Sequence, residues 1–345
     1  MVTALVVIAV LVLVALIYLA TLPGNYEIRV SRNLPATAEQ VFDKLADLES
    51  WHEWFPWLMH EPDCPIEFSG NGKEVCGKYS WDGKMVGAGT MEHKVLDRPN
   101  HAEQKLSFTR PFKSICTVGF DLEPVDRGES PETTSPQTTS LETKVTWYMQ
   151  GAMPFLFRPM VRRTKEMIAE DYNNGLAMLG GILDPSSEYP RFEFLGEQQR
   201  QTTAYLAIPW EGTIEDMPEA MTKGFTELNE YLSSGAATAV GVPFSVIHKA
   251  KKRATYFVMD MAVPVAEGTE DKKYEVKQLE GGKFHQTQLT GSYDFLKGAW
   301  YCAMAHLKMS KTKFDWKRPC VELYENDPHS VEHSNEIVTS IYIPI

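Results

Sequence analysis

Read as a strand, Pro319-Cys-Val-Glu-Leu-Tyr324 sends Val321 and Leu323 to one face and Cys320, Glu322 and Tyr324 to the other. If the apolar pair packs on helices, Glu322 points into an open groove. A half-buried carboxylate is costly unless paired or hydrogen-bonded, so it suits the anchor of an organic cation or a general acid/base. The structural alternative is a rim carboxylate held by neighbouring Lys317 or Arg318. Tyr205, Tyr256, Trp300, Tyr324 and Tyr342 are candidate walls for such a groove, each with core packing as its rival role. His93 stands on a strand beside Glu92, which faces the other way, and reads as a structural histidine rather than a base. No paired carboxylates or nucleophile–base spacing accompany it. Cys64, Cys76, Cys116, Cys302 and Cys320 are far apart, with no Cys-x-x-Cys and no Cys/His pair at zinc spacing. Neither a metal site nor a disulfide framework nor a cofactor is expected, and the odd count favours a reducing compartment.

What must position Glu322 is an internal repeat. Residues 204–265 and 283–345 share one order: a strand, a turn with Gly212 or Gly291, an amphipathic helix near 216–232 or 294–307, then a strand opened by Pro243 or Pro319. Each half closes alike, on Ala262-Val-Pro-Val265 or Tyr342-Ile-Pro-Ile345. This predicts two βαββ halves about a pseudo-twofold axis with a groove between them. Counting from the prolines makes Val246 the counterpart of Glu322, so the fold itself does not demand the charge.

The rest of the chain sets the context. Its 345 residues imply two domains, and a net charge of −12 argues against a nucleic-acid partner. Asp184-Pro-Ser-Ser-Glu-Tyr-Pro190 is a break between periodic regions, giving domains at 25–183 and 191–345 with a linker at 184–190. The first domain opens with a strand at 26–33 and a capping box, Thr37-x-x-Gln40, before a helix carrying Val41, Phe42 and Leu45. Strands follow at 73–81 and 84–96 around Asp82-Gly83, a hairpin signal, then at 101–109, 114–122 and 142–150. The Ser/Thr/Pro run at 130–140 reads as a long hairpin tip. A long helix from about 158 carries Ile168, Tyr172, Leu176 and Leu179 on one stripe, while Trp51, Trp54, Phe55 and Trp57 form an aromatic cluster. His248-Lys-Ala-Lys-Lys-Arg253 is a dense basic run that reads as a solvated turn.

At the start of the chain, 19 of the 21 residues at 2–22 are apolar and no charge precedes Glu27. A helix of that length spans about 31 Å, enough for a bilayer core, so residues 1–24 read as an uncleaved single-pass membrane anchor. The rival is a signal peptide, which normally starts with a basic residue and exits through small ones. Arg29 and Arg32 after the span lean towards cytoplasmic soluble domains.

Two family resemblances complete the reading. Pro35-Ala-Thr-Ala-Glu-Gln-Val-Phe42 leading to Leu48-Glu-Ser-Trp-His-Glu-Trp-Phe-Pro-Trp57, with Gly77-Lys-Tyr-Ser-Trp81, Gly87-Ala-Gly89 and Thr143-Lys-Val-Thr-Trp147, resembles the SRPBCC superfamily. That family has the START-like or polyketide-cyclase-like helix-grip fold, and it implies an apolar cavity between sheet and long helix for a lipid or other hydrophobic ligand. Arg318-Pro-Cys-Val-Glu-Leu-Tyr-Glu-Asn-Asp-Pro328 with Ile341-Tyr-Ile-Pro-Ile345 resembles the GyrI-like, or transcription-activator effector-binding, domain. That family implies a groove for flat, apolar or cationic small molecules, anchored by an acidic residue that matches Glu322. Some members hydrolyse strained electrophilic rings. The DNA-binding domain that precedes this module in regulators is replaced here by the anchor and the helix-grip region. The expected class is α+β, and the expected function is a membrane-anchored protein with two hydrophobic-ligand modules that sense, sequester or transfer. The alternatives are a detoxifying hydrolase using Glu322 and a cyclase-like enzyme in the first module.

Overall fold

The computed structural model describes residues 2–125, 142–251 and 254–345. The whole Ser/Thr/Pro run at 130–140 and the end of the basic run lie outside these residues. The chain divides into two compact units, Met1–Glu188 and Tyr189–Ile345. Each mixes helix with one antiparallel sheet.

Unit 1 begins with α1 (Val2–Thr21), whose 19-residue segment Thr3–Thr21 has a mean hydropathy of 3.0. β1 (Asn25–Leu34) follows, then α2 (Ala38–Ala46). The α2 capping box forms as the spacing predicts: the Gln40 amide donates to Thr37 Oγ1 at 3.2 Å and the Thr37 amide to Gln40 Oε1 at 3.0 Å. Five strands come next: β2 (Ile66–Ser69), β3 (Lys78–Asp82), β4 (Ala88–Asp97), β5 (His101–Arg110) and β6 (Ser114–Pro124). β7 (Thr143–Ala152) and α3 (Val161–Leu183) close the unit, in the sheet order β1-β7-β6-β5-β4-β3-β2.

Two details depart from the sequence reading. β2 is a short edge strand the periodicity does not reveal. The Asp82-Gly83 hairpin has a longer loop than expected, because β4 starts only at Ala88. The reason is Glu61, whose carboxylate accepts from the amides of Lys84, Met85 and Val86 at 2.8, 2.8 and 3.1 Å. Those N–H groups are satisfied there and do not join the ladder.

The interior of unit 1 is rich in aromatic side chains. Trp147 of β7 lies flat on Tyr172 of α3, with ring centroids 3.8 Å apart and planes at 6°. Trp51, Trp54 and Phe120 pack around them, all buried. These rings form one stacked cluster between the sheet and the long helix. His93 is buried elsewhere in unit 1, with Nε2 3.0 Å from the Ala46 carbonyl and Nδ1 3.3 Å from Gln104 Nε2.

Unit 2 runs β8 (Arg191–Arg200), β9 (Thr203–Thr213), α4 (Met217–Ser233), β10 (Phe244–Lys251), β11 (Tyr256–Pro264) and β12 (Glu275–Leu279). It continues with β13 (Gly282–Thr290), α5 (Leu296–Met309), β14 (Cys320–Tyr324) and β15 (Val338–Pro344). The sheet order is β12-β9-β11-β10-β14-β15-β13-β8. Its middle six strands read symmetrically outward from the β10/β14 pair, which is the pseudo-twofold expected of the repeat. β8 and β12 lie outside the repeat and extend the two edges.

Candidate functional site

Register decides which side chains share a face. Across β10 and β14, Ser245 pairs with Glu322, Val246 with Val321 and Phe244 with Leu323. Glu322 therefore sits opposite Ser245, and proline counting, which pointed to Val246, is off by one position. Val321 and Leu323 lie with Tyr205, Phe244 and Tyr342 on the other side of the sheet. The helices do not cover that side. Gly224 of α4 packs on Met261, which shares the Glu322 face, and Trp300 of α5 reaches Glu322 itself. The expectation that Val321 and Leu323 pack on the helices is thus corrected: Glu322 faces the helices and the apolar pair does not.

Glu322 is 5% exposed. The Trp300 Nε1–H donates to its Oε1, and the Tyr324 hydroxyl donates to its Oε2 at 2.9 Å. Tyr324 in turn lies 2.8 Å from the Ser245 hydroxyl. Phe225 of α4 and Tyr293 stand edge-on to Tyr324, with centroids 5.5 and 5.8 Å away. Among the described residues, the side-chain partners of this carboxylate are two neutral donors. Burial pushes its pKa above the ordinary carboxylate value, and the two hydrogen bonds only partly oppose that. Arg318, a suspected rim partner, instead donates to the carbonyls of Lys283 and Gly281 and covers the Phe284 ring at 4.4 Å.

Of the six residues singled out from the sequence, the structure brings together Glu322, Tyr324 and Trp300. Tyr205, Tyr256 and Tyr342 are on the opposite face. The Tyr342 ring carries Arg200 at 4.1 Å and the Tyr256 ring carries Lys251 at 5.4 Å. Tyr205 belongs to a different polar cluster, centred on buried Asp260. Its hydroxyl donates to Asp260 Oδ2 at 3.0 Å, His248 Nε2 lies 2.8 Å from the same oxygen, and Lys277 Nζ lies 3.0 Å from Oδ1. These partners hold the Asp260 carboxyl below its usual value although burial opposes them. His248 occupies a bulge, since the β10/β11 register shifts between Ile247 and Lys249. An open cleft of about 280 Å³ adjoins His248, Asp260 and Lys277.

Sequence reasoning missed Ser245, Phe225, Tyr293 and Asp260. Asp260 left one signal, a lone charge inside the apolar run Tyr256-Phe-Val-Met-Asp-Met-Ala-Val263. The others left none, because only register and helix placement put them beside Glu322. Among the described residues, no group of three or more His, Cys, Asp or Glu is placed to hold a metal ion.

A sheet with two symmetric halves, helices on one face and a buried carboxylate between them defines a small-molecule-binding class of domain. The comparisons agree with it. Residues 198–345 match the model of the GyrI-like small molecule binding domain, and residues 26–181 match that of polyketide cyclase / dehydrase and lipid transport proteins. The chain joins one domain of each family. No curated protein matches it in sequence. Among solved structures it is similar to protein CV1439 from Chromobacterium violaceum, at 14% identity over 46% of this chain and 97% of that one, with a TM-score of 0.33. It is similar to SAV2435 bound to tetraphenylphosphonium at 14% identity, over 44% and 93%, with a TM-score of 0.34. It is also similar to the Aha1 dimer from Colwellia psychrerythraea at 12% identity, over 46% and 96%, with a TM-score of 0.32.

Proposed function

We propose that this is a membrane-anchored binding protein whose second unit takes up apolar organic cations at Glu322. The observation that carries the reading is a buried carboxylate hydrogen-bonded to neutral donors under aromatic rings. Burying an ionised carboxylate without a countercharge is unfavourable, and a bound cation supplies one. Trp300, Tyr324, Phe225 and Tyr293 offer ring faces and edges to the apolar part of such a ligand. A ligand that meets the carboxylate directly takes the place of the Trp300 N–H. We assign α1 as the anchor and place the soluble units on the cytoplasmic side, from Arg29 and Arg32. For unit 1, the match to polyketide cyclase / dehydrase and lipid transport proteins supports a second module for a hydrophobic ligand.

The test is a titration of the full chain in detergent with tetraphenylphosphonium and with neutral triphenylphosphine oxide. The cation should bind more tightly, and Glu322→Gln should remove about 1.5–3 kcal/mol of that affinity, the range of a charge-assisted contact. Equal binding of both probes, unaltered by Glu322→Gln, would sink the reading. Turnover of a strained-ring electrophile, lost in the same variant by about a hundredfold, would point instead to the hydrolase alternative.

A further inference from the structure

The end of α1 is fixed to unit 1 by several contacts. Arg158 Nη1 donates to the Leu22 carbonyl at 3.3 Å and lies 3.5 Å from that of Leu19. The Met153 amide donates to the Gly24 carbonyl at 2.8 Å, and Asn25 already pairs with Ala152 in the sheet. A Cβ on Gly24 would lie only 3.0 Å from Arg158 Nε. No flexible spacer separates the apolar helix from the domain. The level at which α1 ends is therefore also the level of the turn Phe155–Met160.

That turn exposes an unusual surface. Leu156 is 69% exposed, and Phe155, Phe157 and Met160 are exposed beside it. Phe112, from the β5–β6 turn, stacks on Phe157 at 5.7 Å and 9°, and Ile115, three residues further on, is exposed as well. Basic side chains accompany them. Residues 153–167 contain Arg158, Arg162, Arg163 and Lys165 against a single acid, Glu166, in a chain whose net charge is −12.

We infer that this patch is a second membrane contact: the turn Phe155–Met160 and the Phe112–Ile115 segment lie in the interface of an anionic bilayer, beside the exit of α1. The inference rests on the anchor reading above. Continuity with the helix end sets the depth, because a residue hydrogen-bonded to the last turn of a spanning helix sits where headgroups meet acyl chains. Aromatic and long aliphatic side chains favour that zone, and arginines beside them meet lipid phosphates. Two attachments, the span and the patch, would hold unit 1 against the membrane in one orientation rather than on a tether.

The experiment places a photoreactive diazirine residue, one at a time, at positions 11, 156 and 39 of the full chain in vesicles. The vesicles are phosphatidylcholine with about 30% phosphatidylglycerol, a composition chosen for its negative surface. Glu39 is exposed in the first turn of α2, beyond the far end of β1, a strand that runs about 30 Å from the end of α1. Lipid adducts are read by mass spectrometry. The expected result is lipid adducts at 11 and 156, with the yield at 156 at least fivefold that at 39. Arg162→Glu with Arg163→Glu should lower the yield at 156 and leave that at 11 unchanged. Lipid adducts at 11 with none at 156, or protein cross-links at 156 in their place, would overturn the patch and leave the anchor standing. No lipid at 11 would overturn both.

Discussion

Trp147 in unit 1 and Trp300 in unit 2 both sit between a sheet and a helix, yet they serve opposite ends. Trp147 is fully buried against Tyr172, Trp54 and Phe120, and its ring completes an apolar core. Trp300 is only partly buried, and its N–H is spent on a carboxylate. Both units belong to families described by ligand binding or lipid transport. The comparison teaches that aromatic rings between sheet and helix can serve different ends, and that the sign is what they face. Rings that face one another close a core. Rings that face a buried charge without a countercharge leave an interaction to be completed.

The largest test of this contrast is Trp147→Ala. If the ring is core, removing it should cost about 3–5 kcal/mol of unfolding free energy, read by denaturant titration of the unit 1 transition. Tetraphenylphosphonium binding should not change. A loss under about 1 kcal/mol together with new lipid uptake would make unit 1 an open carrier and erase the difference between the units.

A second test is acid titration of unit 2. His306 of α5 stacks on Phe194 at 4.0 Å, and burial depresses its pKa to about 4. A depressed histidine favours the fold while neutral. Its contribution is present above the unfolded value of 6.5 and is lost as pH falls towards about 4. The loss should be on the order of 2 kcal/mol after allowing for partial exposure. His306→Phe should flatten that part of the stability–pH curve; an unchanged slope would remove His306 from the account.

The smallest effect is expected from Tyr324→Phe. It deletes one of the two hydrogen bonds to Glu322 and leaves the ring. The Glu322 pKa, already raised by burial, should rise further, so cation affinity should fall by about fivefold to tenfold where the carboxyl is still partly protonated, on the scale of an ordinary hydrogen bond. Affinity should recover as pH rises and the carboxyl ionises. Because a raised carboxyl favours the fold when protonated, stability without ligand should decline over the same range. A pH-independent loss would show that the hydroxyl touches ligand rather than tuning Glu322.

Much of the architecture was legible from local pattern. The capping box at Thr37 and Gln40, the apolar alternation in β6 and β7 and the Ile168–Tyr172–Leu176–Leu179 stripe rest on neighbours within a few residues, and the repeat of unit 2 shows as the same order of local patterns met twice. The loop after Asp82 was not legible, because a carboxylate more than 20 residues away takes its amides. Edge strands β2 and β12 carry too little apolar periodicity to announce themselves.

The sequence by itself determined that Glu322 would lie on the face of its strand opposite Val321 and Leu323, since alternation is fixed by the backbone. It also determined that an uncharged apolar helix stands at the start of the chain. Which of those faces meets the helices was decided only by the tertiary structure. Alternation gives two sides but no label for either, and the label comes from where α4 and α5 pack. The same holds for the aromatics. Tyrosines 205, 256 and 342 are as suited to a ligand as Tyr324, and only the register of the eight-stranded sheet sets them on its other side.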